Sequence, residues 1–394
     1  MSVVGRGRTA EIQPDSELVS VVIPAYNAEA TIRETLASAL AQTFFNLEVI
    51  LVDDGSTDAT AAIAEGVAAE DPRVRLLRQS NRGVAAARNH GVREARGGLI
   101  AFLDADDLWH PTKIAKQVEA VRRSATDVGL VYTWYRRIDA ASRILSSSRQ
   151  VFLEGDVYAA LVLSSFVGGG STAMIPRACV EEVGGFDGRF QGAADTELFL
   201  RVAERYDFAV VPEYLMGYRQ SAGSMSRDIW HMLRQVEQVL VEARHRNPQL
   251  PKELFRWGRG RLGAWLARES LRADRVGLGA YLLLRTLLYD PATVLRRHPG
   301  RALLSAVARR LRLSPLDPTG RRLLERSHLC PTQPRREDRD CIGRLFLDAA
   351  PEPAASMSPG AERGGRPRVP RRLSFALGCS VRSRPAQPPR QSAV

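Results

Sequence analysis

The sequence predicts an α/β fold, a Rossmann-like mixed sheet with helices on both faces, followed by a C-terminal helical appendage. Three observations carry this expectation. Apolar runs at 18–24, 47–52, 74–77 and 99–103 alternate with stretches of helical period. Those runs are apolar throughout, as the strands of a parallel sheet covered on both faces are. Polar clusters follow the ends of the runs, where open α/β sheets bind their ligands.

The elements follow in order. Residues 18–24 are the first strand. Ile32, Leu36, Ala39 and Leu40 share one face of a helix, with Asn27 as its expected N-cap. Residues 47–52 are a second strand. Residues 57–69 are a second helix, with Ser56 or Thr57 as cap and Asp71-Pro72 as stop. A strand over 74–77 and a helix over 83–95 come next, and Gly97-Gly98 ends that helix. The strand over 99–103 completes a βαβαβαβ run. A helix over 111–123 and a strand over 128–133 follow. Short strands over 171–175, 208–211 and 214–219 enclose a helix over 196–206, so the same sheet continues in mixed form.

From 228 to 313 the pattern is helical. Met232, Val236, Val239 and Leu240 share a face. Trp257, Arg261, Leu262, Trp265 and Leu266 form an amphipathic stretch, and 301–313 alternates apolar residues with Arg. Past 314 the chain is rich in Pro, Arg, Gly and Ser, and disorder is expected. The expected division is an N-terminal tail at 1–17, the α/β domain at 18–226, a basic helical region at 227–313 and an Arg/Pro-rich tail at 314–394.

Composition excludes several classes. The 394 residues carry 56 Lys+Arg and 44 Asp+Glu, a net charge of +12. Residues 1–220 sum to −6 and residues 221–394 to +18, so a mildly acidic front joins a basic back. Four scattered Cys make neither a disulfide framework nor a zinc set, and a reducing compartment is expected. Residues 1–14 lack the apolar core of a secretory signal, and no apolar run is long enough to span a bilayer. The expected setting is cytoplasmic, with the option of a peripheral place on the cytoplasmic face of a membrane.

Four polar clusters sit at strand ends. Pro24-Ala25-Tyr26-Asn27 follows the first strand: Pro24 ends the ladder, and Tyr26 offers a flat face to a nucleobase. Asp53-Asp54-Gly55-Ser56-Thr57-Asp58 follows the second. Asp54-Gly55 supplies the turn, which leaves Asp53 to accept from a base N–H or a ribose hydroxyl. Asn81-Arg82-Gly83 opens the third helix. Arg88, one turn into that helix, pairs either with phosphate or with a nearby Asp. Asp104-Ala105-Asp106-Asp107 follows the fourth strand. Capping of a helix beginning at Leu108 takes one acid at most. Like charges this close call for a cation, and hard carboxylate oxygens suit Mg²⁺ or Mn²⁺.

These segments, from Val21-Val22-Ile23-Pro24 through Asp104-Ala105-Asp106-Asp107, resemble glycosyltransferase family 2, inverting enzymes of GT-A fold. The resemblance extends through Gly184-Gly185-Phe186-Asp187, Asp195 to Arg201 and Tyr218-Arg219, covering about 18–226. It implies transfer of a sugar from a nucleotide-diphosphate-sugar donor to a saccharide or lipid-linked acceptor, in polysaccharide or glycoconjugate synthesis. It implies that Pro24, Tyr26 and Asp53 hold the nucleotide. Asn27, Asp54, Arg88, Asn89 and Asp104 complete the expected donor set. Asp104 and Asp106 match the D-x-D signature, with Asp107 a further metal candidate, and Asp195 matches the general base. Two positions depart from the family pattern: Ala194 stands where an acid usually precedes the base, and Ser221 where His often follows Tyr-Arg.

Other classes fit less well. A dinucleotide site needs G-x-G-x-x-G after the first strand, which is absent. A sugar nucleotidyltransferase usually opens with a Gly-rich loop and a Lys. A hydrolase would need a G-x-S-x-G elbow. Gly168-Gly169-Gly170-Ser171 reads as a flexible acceptor-side loop. The Arg-rich back lacks a recognition fold, so no specific nucleic-acid partner is expected. The helices from 228 read either as a packed cover on the domain or as a surface for anionic lipid. The alternative to an enzyme is a non-catalytic sugar-nucleotide-binding or membrane-docking protein.

Overall fold

The computed structural model describes residues 18–124, 126–220 and 228–291. The expected N-terminal tail, Ser221, the 301–313 stretch and the Arg/Pro-rich tail lie outside these residues.

The front half alternates as its sequence pattern requires. β1 (Val19–Ala25), α1 (Ile32–Leu40), β2 (Leu47–Asp53), α2 (Thr60–Glu70), β3 (Val74–Arg78), α3 (Val84–Glu94) and β4 (Leu99–Phe102) occur in that order. β1 pairs in parallel with β2 on one side and β4 on the other, and β3 pairs in parallel with β2. Both faces of these strands are apolar because both are covered. Val19, Val21 and Ile23 point to the layer of Ile32, Leu36, Ile114 and Val118. Val22, Ile50 and Phe102 point to the layer of Ala85, Val92, Leu198 and Phe199.

Beyond β4 the sheet becomes mixed. β5 (Leu108–Trp109), α4 (Lys113–Arg123), β6 (Val128–Ile138), β7 (Ile144–Ser147), α5 (Tyr158–Leu163), β8 (Ala173–Pro176), α6 (Arg177–Glu182), α7 (Ala194–Ala203) and β9 (Asp207–Arg219) follow. The sheet order is β3-β2-β1-β4-β8-β6-β9-β5, with β7 paired to β6. β8 runs antiparallel to β4, so the direction changes beside the strand that carries the Asp104 loop.

Four expectations change here. Leu108-Trp109 is a strand paired with Met216 and Gly217, and the helix begins only at Lys113. No helix therefore exists for Asp106 or Asp107 to cap. The two short strands at 208–211 and 214–219 are one strand, β9. Its pairing with β6 steps from Val211 to Tyr214 and leaves Pro212 and Glu213 as a bulge, where the missing proline N–H breaks the pattern. The β1 ladder continues past Pro24 to Ala25 on the β2 side. Pro24 is tolerated because pairing with β4 ends at Val22. Asn27 does not cap α1, which starts five residues later with Thr31 before it.

The back half is helical as expected, with α8 (Ile229–Arg246), α9 (Lys252–Arg272) and α10 (Val276–Tyr289). Val239, Leu240 and Ala243 of α8 and Leu254 and Phe255 of α9 enter the same core layer as α7. These helices cover the sheet domain and share its core.

Candidate active site

The loops after β1, β2 and β4 converge because the strands that carry them are parallel neighbours. Asn27 and Asp58 tie the first two loops together. Asn27, in the left-handed region at φ 48°, accepts from the Thr57 N–H at 2.9 Å, while its own N–H donates to Ser56 Oγ at 3.0 Å. Asp58 accepts from the N–H groups of Glu29 and Thr60, so Asp58, rather than Ser56 or Thr57, holds the start of α2. Tyr26 projects between these loops with half its surface exposed.

Asp53 and Asp54 have different work. Asp53 is buried and accepts from the Ser56 N–H at 3.1 Å, so part of its role is in its own turn. Asp54 is spent on the fold. It accepts from Gln79 Nε2 at 2.7 Å and from the N–H groups of Arg82 and Gly83 at 2.9 and 2.8 Å. Three donors around one buried carboxylate fix the entry to α3. Gly83 needs its φ of 86° there, which a side chain rarely adopts.

Arg88 reaches from α3 into the centre. Its Nη2 donates to Asp104 Oδ1 at 2.6 Å and its Nη1 to Asp195 Oδ1 at 2.8 Å. The side chain is buried and its guanidinium sits 5.1 Å from the Phe186 ring centroid. Of the two partners expected for Arg88, the structure has the acids. Asn89, the next residue, is bound on both sides by the Phe186 backbone, donating to its carbonyl and accepting from its N–H. Asn89 thus holds the turn that carries Phe186 under Arg88.

The Asp104–Asp107 loop is clamped from several directions. Asp107 is fully buried, and its oxygens accept from Ser171 Oγ at 2.6 Å and from the Arg219 N–H at 3.0 Å. Ser171 Oγ also accepts from the Asp104 N–H at 3.0 Å. Arg219 Nε donates to the Asp106 carbonyl at 2.7 Å, and its other nitrogens reach Asp139, Ala140, Ser142 and Glu34. Thr31, just before α1, and Thr35 within it donate to the Ala105 carbonyl. The expected loop at 168–171 begins exposed at Gly168 and ends packed, with Gly170–Thr172 a buried 3₁₀ turn. A Cβ on Gly170 would stand 3.2 Å from both Arg88 Nη2 and Asp195 Oδ1. Glycine lets the backbone lie against the ion pair.

The electrostatics separate these acids. Burial, then the charge of Asp104, pushes the Asp106 carboxyl up to about 6. Burial and the neighbouring Asp106 and Asp104 charges also push Asp107 well above the ordinary carboxylate range. Burial raises Asp195, opposed by Arg88 and assisted by Asp104. Asp104 and Asp195 keep 32% and 24% of their side chains open to solvent. Asp104 and Asp106 therefore fit a hard cation, being adjacent oxygen donors whose mutual repulsion a cation would relieve. Asp107 is fully buried and each of its oxygens accepts from a protein donor, which sets it behind the more open pair. Among the described residues no group of three or more Asp, Glu, His or Cys stands ready to hold a metal. Two carboxylates are what a cation arriving with substrate phosphates needs.

Sequence reasoning missed Glu34, and it singled out the segments of Ser171 and Phe186 without finding the contacts those two side chains make. Each acts through a contact across 60 or more positions, and no local pattern marks it. A cavity of about 520 Å³ lies elsewhere, lined by Asp187, Arg189, Glu197 and Arg201 and by none of the acids above. Its charges pair with one another.

The mixed sheet with its strand-end carboxylates is a GT-A-like domain. Residues 20–184 match the family described as glycosyl transferase family 2. An uncharacterized glycosyltransferase of Rickettsia typhi is 33% identical over 198 residues, 48% of this chain and 61% of that protein. Chondroitin synthase of Escherichia coli is 34% identical over 189 residues, 48% of this chain and 26% of that protein. The similarity thus spans about six tenths of the first relative and a quarter of the second. Residues 1–349 of S. aureus TarS, solved in complex with UDP-GlcNAc, share the fold at a TM-score of 0.53 and 18% identity, covering 73% of this chain and 88% of that one.

Proposed function

We propose that this chain transfers a sugar from a nucleotide-diphosphate-sugar donor to an acceptor hydroxyl, with inversion at the anomeric carbon, in the synthesis of a polysaccharide or other glycoconjugate. The observation that carries the reading is Arg88, which holds Asp104 on the donor side and Asp195 on the other within one buried fork. Tyr26 supplies the face for the base, and Pro24 shapes the strand end beneath it. Asp53, with one oxygen turned into its own loop, offers the other to base or ribose. Asn27, Asp54 and Asn89 support the donor site through the loops they fasten.

Asp104 and Asp106 hold Mg²⁺ or Mn²⁺ in this reading, and the cation supplies positive charge to the departing diphosphate. Asp195 takes the proton from the acceptor hydroxyl as its oxygen attacks C1 from the face opposite the diphosphate. Its raised carboxyl makes it a better proton acceptor than an exposed Asp. One bond to C1 forms, the bond to the diphosphate oxygen breaks, and the nucleoside diphosphate leaves. Inversion follows from the single displacement. Ala194 leaves Asp195 without an acidic neighbour at the start of α7, and Arg88 sets its orientation instead.

The name of the E. coli relative supports a polysaccharide-building role, and UDP-GlcNAc in TarS is a donor of the proposed class. The acceptor is a saccharide or a lipid-linked saccharide, and the protein works in the cytoplasm, peripheral on the inner membrane face. The test is a thermal-shift screen of nucleotide sugars with and without Mn²⁺. Stabilisation by at least one donor, larger with Mn²⁺, is expected. No stabilisation by any donor overturns the reading.

A further inference from the structure

We propose that the outer face of α10 docks on an anionic membrane surface, with the helix lying flat in the interface. The inference rests on the peripheral placement just proposed and names the surface responsible.

α10 carries one charged residue, Arg285, in fourteen. Its inner face, with Leu282 and Leu283, packs on Leu266, Ala267 and Leu271 of α9. Its outer face is equally apolar and is open. Tyr281, Leu284 and Leu288 are 49%, 64% and 77% exposed, and their spacing of three and four puts them in one line. Leu287 widens the line. Trp230, 46% exposed at the start of α8, extends it by standing 5.6 Å from the Tyr281 ring. A helix apolar all round is ordinarily buried on all sides, and among the described residues nothing covers this face.

The chemistry of the rim says what the cover is. Arg272 and Arg275 are exposed at the turn into α10, and Arg234 is exposed one helical turn after Trp230. Asp274 and Asp228 are the exposed acids beside them, and Arg272 pairs with Glu269 at 2.8 Å. Residues 228–291 carry a net +4, and residues 292–394, which follow α10 in the chain, a net +13, a balance that anionic headgroups complement and a neutral partner does not. Trp230 and Tyr281 have the apolar body and polar tip that settle at headgroup level. The helix is about 21 Å long at 1.5 Å per residue, well short of a bilayer core. No described helix is long and apolar enough to cross a membrane. A short helix with an open apolar stripe and basic flanks lies on a bilayer. The amphipathic stretch from Trp257 to Leu266 turns inward: Trp257, Leu262 and Trp265 are half-buried and Leu266 is buried.

Flotation of the full chain tests this. Vesicles of phosphatidylglycerol and phosphatidylcholine are compared with phosphatidylcholine alone, for the wild type and for Leu284→Glu with Leu288→Glu. Melting temperature and size-exclusion elution are followed in parallel. The wild type is expected to float with the anionic vesicles only, and the double variant to lose at least about tenfold in bound fraction. If the glutamates lower the melting temperature, Leu284→Ser with Leu288→Ser is read in the same way. Equal flotation of variant and wild type overturns this inference and leaves the peripheral placement standing. No flotation of the wild type overturns both. A wild-type dimer that the variant breaks, without flotation, assigns the face to a second copy and overturns the membrane.

Discussion

Arg88 donates to Asp195 at 2.8 Å, and the same guanidinium donates to Asp104 at 2.6 Å. A single buried cation thus sets the spacing between the acid proposed to meet the donor and the acid proposed to deprotonate the acceptor. Arginine suits this position because its planar fork presents two nitrogens in fixed directions.

Replacing Arg88 by Met leaves Asp104 and Asp195 facing each other without a counter-charge. Stability is expected to fall by about 3–5 kcal/mol, the range for breaking a buried pair. Arg88→Lys recovers part of this, since an ammonium cannot fork to both acids. Urea denaturation of the three proteins checks the order. A Met variant as stable as wild type would contradict the role given to the fork.

Arg219 is the second fixed cation. It is buried, and it reaches the Asp106 carbonyl across 113 positions of sequence and Glu34 across 185. Arg219→Gln is expected to destabilise by about 3 kcal/mol or more. It should also weaken the extra stabilisation that Mn²⁺ gives to donor binding, because the Asp106 loop loses its anchor. Thermal melts with donor, with and without Mn²⁺, read both effects.

Two glycines give opposite expectations. A Cβ on Gly91 would lie 2.4 Å from Val22 Cγ1, so Gly91→Ala pushes α3 off β1 and should destabilise by about 1–3 kcal/mol. Gly66 is exposed in α2, where a Cβ would meet nothing within 4 Å and the backbone is ordinary helix. Gly66→Ala should stabilise by about 0.5–1 kcal/mol. The two melting temperatures should move in opposite directions.

Glu48 carries a pH dependence. Burial pushes its carboxyl up, but Ser20 and the N–H and side chain of Arg96 hold it net below the ordinary value. A depressed folded-state pKa means that the unfolded chain takes up the proton first. Its contribution is therefore complete above the unfolded value and lost as pH falls through the folded one. Denaturation midpoints measured from neutral to acid pH should fall more steeply for wild type than for Glu48→Gln.

Much of the fold is legible in the sequence because β1, β2 and β4 are continuous apolar runs whose ends carry the polar clusters. Leu108-Trp109 is not, because nothing local distinguishes two apolar residues before a helix from a two-residue strand. Its partners, Met216 and Gly217, lie more than a hundred positions away. The site is legible as a set of residue types. The division of labour within it is not. Asp53, Asp54, Asp104, Asp106 and Asp107 look alike in sequence, and only the donors around each show that Asp54 and Asp107 are occupied by the protein. Arg88 is open to phosphate or carboxylate in sequence, and only the approach of α7 brings the Asp195 carboxylate within its reach.

The most direct test of the proposed chemistry is turnover of a stabilising nucleotide sugar by wild type and by Asp195→Asn, with donor affinity measured on both. Asn keeps the shape and a hydrogen-bond acceptor for Arg88 but cannot take a proton. The expected result is donor binding close to wild type, with transfer reduced by about 10²–10⁴. Turnover by Asp195→Asn equal to wild type would contradict the account.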